Sequence, residues 1–259
     1  MAARELMRDL AHNLRVARGW ILAQFLGFPL MALVAIGWTR LPDKHWWQLA
    51  LSLLLPLLLL AAVLVLKAGI VRCMMRESEP RVSLIWGALS LLVWIAIAWL
   101  LWRLLDRWDD KIYLWAGYLN SKASAWWRAR IFTYQHLSLW LTRIEWFLRW
   151  IVVPALLIPF GAASAVRAWR LRWLSTLHVV HNWRWFFAVV FFALLGVALP
   201  SHFFNGLPHG TLSAQIWAVV LKLLGAYLLM FLCWILLLAW VCALLKQQEA
   251  KNSNAASQL

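Results

Sequence analysis

Apolar residues in this chain form long runs that are separated by polar segments. The runs cover about residues 20–38, 46–66, 82–102, 151–166, 185–200 and 212–245. Most of them reach the roughly 20 residues that a helix needs to cross about 30 Å of hydrocarbon. They do not alternate apolar and polar positions, as the strands of a membrane barrel do. The pattern predicts an all-α, polytopic membrane protein with about six transmembrane helices.

The first 19 residues predict a short amphipathic helix at the membrane interface. Leu6, Leu10 and Leu14 recur every fourth residue, and arginines occupy other positions around the helix. A helix with one apolar stripe and a basic remainder is typical of a segment that lies on a membrane.

The stretch from residue 103 to residue 150 differs from the runs around it. It contains seven tryptophans, eight Lys or Arg residues and four acids. This composition predicts an interfacial segment with amphipathic helices between two three-helix halves, 20–102 and 151–245, although part of it could cross the membrane. The run 151–166 is short and contains Pro154 and Pro159, so it spans only if residues 146–150 add length. Residues 246–259 predict a disordered polar tail.

The net charge of +15 indicates a phospholipid partner, because the basic residues flank the apolar runs. Arg outnumbers Lys 18 to 7, and the guanidinium group binds phosphate oxygens in pairs. We expect no nucleic acid partner. With 64% hydrophobic residues and a mean hydropathy of +0.73, the chain predicts no soluble domain.

Six spans place both chain ends on one side of the membrane. That side receives 14 Lys and Arg residues, and the other receives 10, of which 8 lie in region 103–150. The excess predicts an N-in, C-in orientation, and we expect a bacterial inner membrane.

A polar ridge is the first candidate site. Polar residues within 131–150 recur at steps of three and four, which places them on one helix face beside an apolar stripe. They are Gln135, Ser138, Thr142, Glu145 and Arg149. The ridge would line a pathway or a partner groove, or it would be the water-facing edge of an interfacial helix.

Lys222 is the second candidate, because it interrupts the last apolar run. A charge inside a span is costly and often functional. Alternatively, Lys222 marks the outer end of the last helix and extends to the interface.

For the remaining polar groups, an ordinary structural role is favoured over a functional site. His178 and His181 are weak candidates for a metal site, and interfacial histidines fit equally well. Asp106, Asp109 and Asp110 alternate with basic residues, which favours surface ion pairs over a cation site. The three cysteines show no zinc spacing. We predict no cofactor and no metal.

Two functions remain open, because no hydrolase, metalloprotease, nucleotide-binding or kinase motif occurs. The first is a non-catalytic membrane protein that binds lipid or forms part of a membrane assembly, with membrane-protein partners or as a homo-oligomer. The alternative is a small transporter or flippase that uses the polar ridge and Lys222. Convergence of polar residues from different helices at mid-depth would favour the second. An enzyme is the least favoured class.

Overall fold

The structure is a computed structural model that describes residues 2–40, 45–75, 83–170, 173–203 and 211–256. All regular secondary structure in these residues is helical. The helices in chain order are α1 (Ala2–Val16), α2 (Arg18–Trp38), α3 (Trp46–Met74), α4 (Leu84–Asp109), α5 (Ile112–Lys122), α6 (Ala125–Arg130), α7 (Tyr134–Phe147), α8 (Val153–Arg167), α9 (Trp173–Val180), α10 (Trp183–Ala193), α11 (Leu199–Phe203) and α12 (Leu212–Ala256). Two π-helical segments join neighbouring helices, Leu148–Val152 between α7 and α8 and Leu194–Ala198 between α10 and α11.

Six helical stretches in the described residues are long and apolar enough to cross a membrane, which confirms the predicted polytopic helical fold. The stretches are Arg18–Trp38, Trp46–Met74, Leu84–Asp109, Tyr134–Arg167, Trp183–His202 and Leu212–Asn252. The fourth stretch joins α7 to α8, and the fifth joins α10 to α11, each through a π-helical segment.

Region 103–150 is helical but is not one interfacial segment. Helix α4 continues to Asp109, and α5 and α6 connect it to α7. Helix α7 belongs to the fourth span, because the backbone stays helical through Leu148–Val152 into α8. The predicted boundary between residues 150 and 151 therefore falls inside a continuous helix. The expectation that preceding residues lengthen this span is confirmed.

Two helix ends differ from the sequence prediction. The second span continues beyond Leu66 to Met74, so Lys67 is helical and does not begin a loop. The prediction of a disordered tail is wrong for residues 246–256, because these residues extend α12. Residues 257–259 lie outside the described part of the chain. The extension has partners, because Glu249 forms a 2.9 Å salt bridge with Arg167 at the end of α8.

The predicted amphipathic helix α1 packs against the end of α12. Leu6 belongs to the buried core, and Leu10 and Leu14 pack against that core. Asn13 is fully buried, its Nδ2 donates to the Ala239 carbonyl at 3.3 Å, and its Oδ1 accepts from Lys246 Nζ at 2.9 Å. These contacts place both ends of the described chain on the same side of the bundle.

Small residues allow α4 and α8 to approach closely. A Cβ atom at Gly87 would lie 2.3 Å from the Ala165 carbonyl oxygen, a distance that permits only glycine. The Ser90 hydroxyl lies 2.9 Å from the carbonyl oxygens of both Gly87 and Ser164. Small residues and hydroxyl groups of this kind hold helices together in lipid, where apolar surface alone gives little preference.

Pro29 leaves a backbone acceptor in α2 that a distant residue satisfies. A proline has no N–H group, so the carbonyl four residues before it, at Phe25, loses its usual helical donor. Tyr227 of α12 donates its hydroxyl hydrogen to the Phe25 oxygen at 2.7 Å. Because an unsatisfied carbonyl is costly in hydrocarbon, this bond ties α2 to α12 at one position.

Pro159 produces the same arrangement in α8. The carbonyl four residues earlier belongs to Ala155, and it accepts a hydrogen bond from Trp185 Nε1 of α10 at 2.8 Å. Trp185 is fully buried. The indole N–H therefore replaces the missing backbone N–H and fixes α10 against α8.

The two π-helical segments each end two residues before a proline. Leu148–Val152 precedes Pro154, and Leu194–Ala198 precedes Pro200. A proline ring collides with the carbonyl four residues before it, and a wider turn moves that carbonyl away. The wider turns thus make room for the rings of Pro154 and Pro200 within helical stretches that continue past them.

We predict that Tyr227→Phe costs about 1 kcal/mol of stability, because the Phe25 carbonyl loses its donor. In a Pro29→Ala background the cost should fall by at least half, since residue 29 then supplies a backbone N–H. Thermal unfolding midpoints of the four proteins in detergent complete the double-mutant cycle. Tyr113→Phe, on an exposed tyrosine, is the control. Equal losses in both backgrounds would contradict the pairing.

Candidate functional site

Two cavities lie side by side within the helical bundle, with volumes of about 460 Å³ and 330 Å³. Both fall in the range of roughly 300–1,000 Å³ that is usual for small-molecule sites. Five residues line both cavities and form their common boundary: Lys67, Trp102, Pro154, Ile158 and Trp234. The larger cavity also extends between α10 and α12. We call the two together the central cavity.

The walls of the central cavity are almost entirely apolar. Aliphatic and aromatic side chains supply most of them, and the π-helical segments contribute Trp150 and Gly196. The wider turns before Pro154 and Pro200 thus help to shape this space. Segments of π-helix are frequent at functional sites. The polar groups here are few, so each has a large effect on what the cavity can hold.

Lys67 is the charged residue among those that line the central cavity. Its Nζ lies 4.2 Å from the centroid of the Trp234 ring and 5.3 Å from that of Phe28. These cation–π contacts stabilise an ammonium group only in part. Within the described residues, no carboxylate forms a salt bridge with Lys67. Sequence reasoning missed this site, although apolar residues resume directly after Lys67 at Ala68.

Gln24 also lines the central cavity, and its side chain is fully buried. Neither its Nε2 nor its Oε1 has a hydrogen-bond partner within the described residues. A buried amide without partners is costly, so such a group in a cavity indicates a missing ligand or water. Gln24 precedes Phe28 by one helical turn, which places it on the same face of α2. Phe28 contacts Lys67, so the amide and the ammonium lie in one neighbourhood.

Of the five polar-ridge residues, the structure brings two together. Glu145 and Arg149 form a salt bridge, and Glu145 is buried. Arg149 also binds Asp106 of α4, with 2.8 Å between Nη2 and Oδ1. We name these three residues the acidic–arginine cluster. Sequence reasoning paired Asp106 with neighbouring basic residues, and its recorded partner lies on another helix.

The other three ridge residues bond locally on α7. Ser138 Oγ donates to the Gln135 carbonyl, and Thr142 Oγ1 donates to the Ser138 carbonyl. Gln135 and Thr142 are exposed. A helical period identifies a shared face but not the neighbouring helix, so the ridge separates into an exposed part and a buried part.

The acidic–arginine cluster lies next to one end of the central cavity. Trp102 precedes Asp106 by one turn on α4, and Trp150 directly follows Arg149. The two indole rings meet edge to face, with 5.1 Å between their centroids, and both line the cavity. This tryptophan pair therefore belongs both to the cavity wall and to the helical turns that carry Asp106 and Arg149.

The remaining candidates lie away from the central cavity. Lys222 is half-buried on α12 and is not among the residues that line either cavity. His178 and His181 are exposed, and their Nδ1 atoms lie 2.7 Å and 3.1 Å from carbonyl oxygens of their own helical turn. No group of three or more His, Cys, Asp or Glu residues in the described ranges could hold a metal ion.

Comparisons of this chain with known protein families, with curated proteins and with solved structures found no match. The functional interpretation therefore depends on the geometry of the central cavity and its surroundings.

We predict that Arg149→Met lowers stability by about 1–3 kcal/mol, because Glu145 stays buried without its partner. The double variant Glu145→Gln with Arg149→Met should recover most of that loss. Thermal midpoints in detergent measure both, and Arg143→Met, on an exposed arginine of α7, is the matched control. A double variant no more stable than Arg149→Met would contradict the coupling.

Proposed function

We propose that this protein is a non-catalytic integral membrane protein that binds a membrane lipid within its helical bundle. The observation that carries the proposal is the central cavity, which combines apolar walls, a size suited to a ligand and a few convergent polar groups.

The surroundings of the cavity support a lipid as the occupant. An empty apolar cavity forfeits the dispersion contacts of its walls, and water gains little from entering it. Inside a membrane, the groups available to fill such a cavity are the acyl chains of lipids. A chain in the cavity would restore the lost contacts and extend along the walls that α8, α10 and α12 provide.

The chemistry of the cavity supports binding rather than catalysis. Tyr227 donates its hydroxyl hydrogen to a backbone carbonyl, and Cys233 faces the cavity beside apolar neighbours. Among the described residues, no His, Asp or Glu lines either cavity to act as a general base. We assign to the polar groups of the cavity, chiefly Lys67 and Gln24, the role of positioning a ligand.

The outer surface supports phospholipid contact as well. Exposed large apolar side chains cover the outward faces of α2, α3 and α4. The segment from Lys111 to Phe132 carries four basic residues and no acid, together with exposed Tyr113 and Trp115. This combination suits an anionic headgroup layer. We further propose a bacterial inner membrane with both ends in the cytoplasm, and membrane-protein partners or a second copy for the exposed apolar faces.

Movement of the bound lipid across the membrane is a second proposal. Polar groups from different helices converge at two places, around Lys67 and in the acidic–arginine cluster, with the central cavity between them. A lipid headgroup that crosses the bundle would need polar groups of this kind along its path, because the apolar interior offers no others. Lys222, which lies away from the cavity, is not needed for this path.

We predict that cavity-filling substitutions reduce lipid retention. Native mass spectrometry of gently extracted protein should show bound lipid, and Ala193→Phe or Ala98→Phe should lower the bound fraction, since both residues line the cavity. Ala96→Phe, on the exposed face of α4, is the control and should retain lipid. Absence of lipid from the wild-type protein, or full retention in the filled variants, would contradict lipid binding.

A separate measurement tests transport. Vesicles that contain the protein and a headgroup-labelled lipid should show faster exchange between leaflets than protein-free vesicles. Glu145→Gln should slow the exchange at equal protein content, because it removes the carboxylate that Arg149 binds. Thr142→Val, on the exposed part of the ridge, should leave the rate unchanged. Exchange no faster than in protein-free vesicles would end the transport proposal and leave lipid binding standing.

A further inference from the structure

We infer that the ligand of the central cavity is an anionic amphiphile, and that its phosphate or carboxylate group binds beside Lys67 and Gln24. The inference depends on the proposed function, namely that the cavity holds a lipid. It adds the charge of that lipid and the residues that recognise the charge.

The first argument is the balance of charge. An ammonium group inside a membrane span is costly unless an opposite charge or polar groups accompany it. Lys67 Nζ contacts the rings of Trp234 and Phe28, and both rings are neutral. Within the described residues, the carboxylates that form salt bridges or side-chain hydrogen bonds do so with Arg149, Arg167 and Gln247, and not with Lys67. An anion in the cavity would supply the missing charge.

The second argument is the balance of donors and acceptors. Gln24 Nε2 and Trp234 Nε1 are buried donors without partners in the part of the chain that the structure describes. Lys67 adds the three donors of its ammonium group. The free acceptor among these groups is Gln24 Oε1. Donors therefore outnumber acceptors, and a group with several anionic oxygens satisfies them best.

The third argument is the shape of the surroundings. Lys67 stands at the boundary of the two apolar cavities and lines both. A headgroup bound there leaves room for one chain on each side of the lysine. A free inorganic anion would satisfy the donors but would leave both apolar spaces unfilled, which favours an amphiphile.

The position of Lys67 fits a headgroup that enters from one membrane face. From Lys67 to the end of α3 at Met74 is roughly 10 Å of helix. The bound anionic group would thus lie below the surface on the side where both ends of the described chain are found. Acyl chains would extend through the rest of the cavity, which Trp102 and Trp150 help to line.

The experiment uses the full-length protein, stripped of lipid in detergent and then titrated with one defined lipid at a time. Native mass spectrometry compares phosphatidylglycerol with phosphatidylcholine of the same chains. We expect the wild-type protein to prefer the anionic lipid by about tenfold or more. Both headgroups carry a phosphate, but phosphatidylcholine would place a second cation close to the Lys67 ammonium group. Lys67→Met should remove the preference while phosphatidylcholine still binds. Lys67→Arg should keep it.

Two further variants keep the result interpretable. Gln24→Leu should weaken binding of both phospholipids several-fold, because both carry the anionic phosphodiester oxygens that the amide would bind. Unchanged binding of both lipids would contradict the role of Gln24. Lys222→Met removes a lysine from another span and should leave the preference intact. If Lys67→Met does not fold, the wild-type preference and the Gln24→Leu comparison still decide the question.

The outcomes separate the two proposals. Retention of both lipids without a charge preference, or a preference that survives Lys67→Met, would overturn the anionic site and leave lipid binding standing. Retention of neither lipid would overturn the proposed function itself. A third arm adds inorganic phosphate alone. Thermal stabilisation of the wild-type protein by phosphate but not by phosphatidylglycerol would show that the ligand is a free anion, and would overturn the amphiphile.

Discussion

A carbonyl oxygen inside a membrane needs a hydrogen-bond donor, and the packing of this bundle follows from that requirement. Prolines in α2 and α8 remove donors from Phe25 and Ala155, and aromatic residues of α12 and α10 supply replacements. Apolar helix surfaces in lipid discriminate weakly among partners, whereas each of these bonds can form in only one register. The prolines thereby specify which helices meet and at what depth.

The same requirement gives meaning to polar groups that lack partners. Most buried polar side chains here are satisfied: Asn13 bonds to α12, and Ser90 and Ser164 bond to nearby carbonyls. Gln24 and the indole nitrogen of Trp234 are without partners among the described residues, and both residues line the central cavity with Lys67. Two residues with unpaired polar atoms beside a lysine at one apolar cavity are the best reason to expect a ligand there.

Sequence patterns predicted the class of fold and the number of spans, because length and hydropathy suffice to recognise a membrane helix. The sequence predictions failed where a charged residue was interpreted as the end of a helix. Lys67 closed the second predicted span, yet Ala68 and the apolar residues after it continue the helix. Hydropathy also separated α7 from α8, because the polar residues of α7 lower the mean. Glu145 of α7 nevertheless forms a salt bridge with Arg149 of the following π-helical segment.

The candidate site shows what periodicity cannot provide. Steps of three and four correctly placed Glu145 and Arg149 on one face, but the partner on α4, Asp106, depends on tertiary packing. Gln24 was visible as one of few polar residues in a span, and nothing in the sequence placed it near Lys67. Pairings between helices 40 or more residues apart require the structure.

The most direct measurement is an electron cryomicroscopy structure of the protein extracted with its native membrane lipids. We predict elongated density in the central cavity, with its polar end within hydrogen-bond distance of Lys67 Nζ and Gln24 Nε2. A cavity that is empty, collapsed or filled only with ordered water, with Lys67 paired to a carboxylate of the chain, would contradict the proposed lipid site.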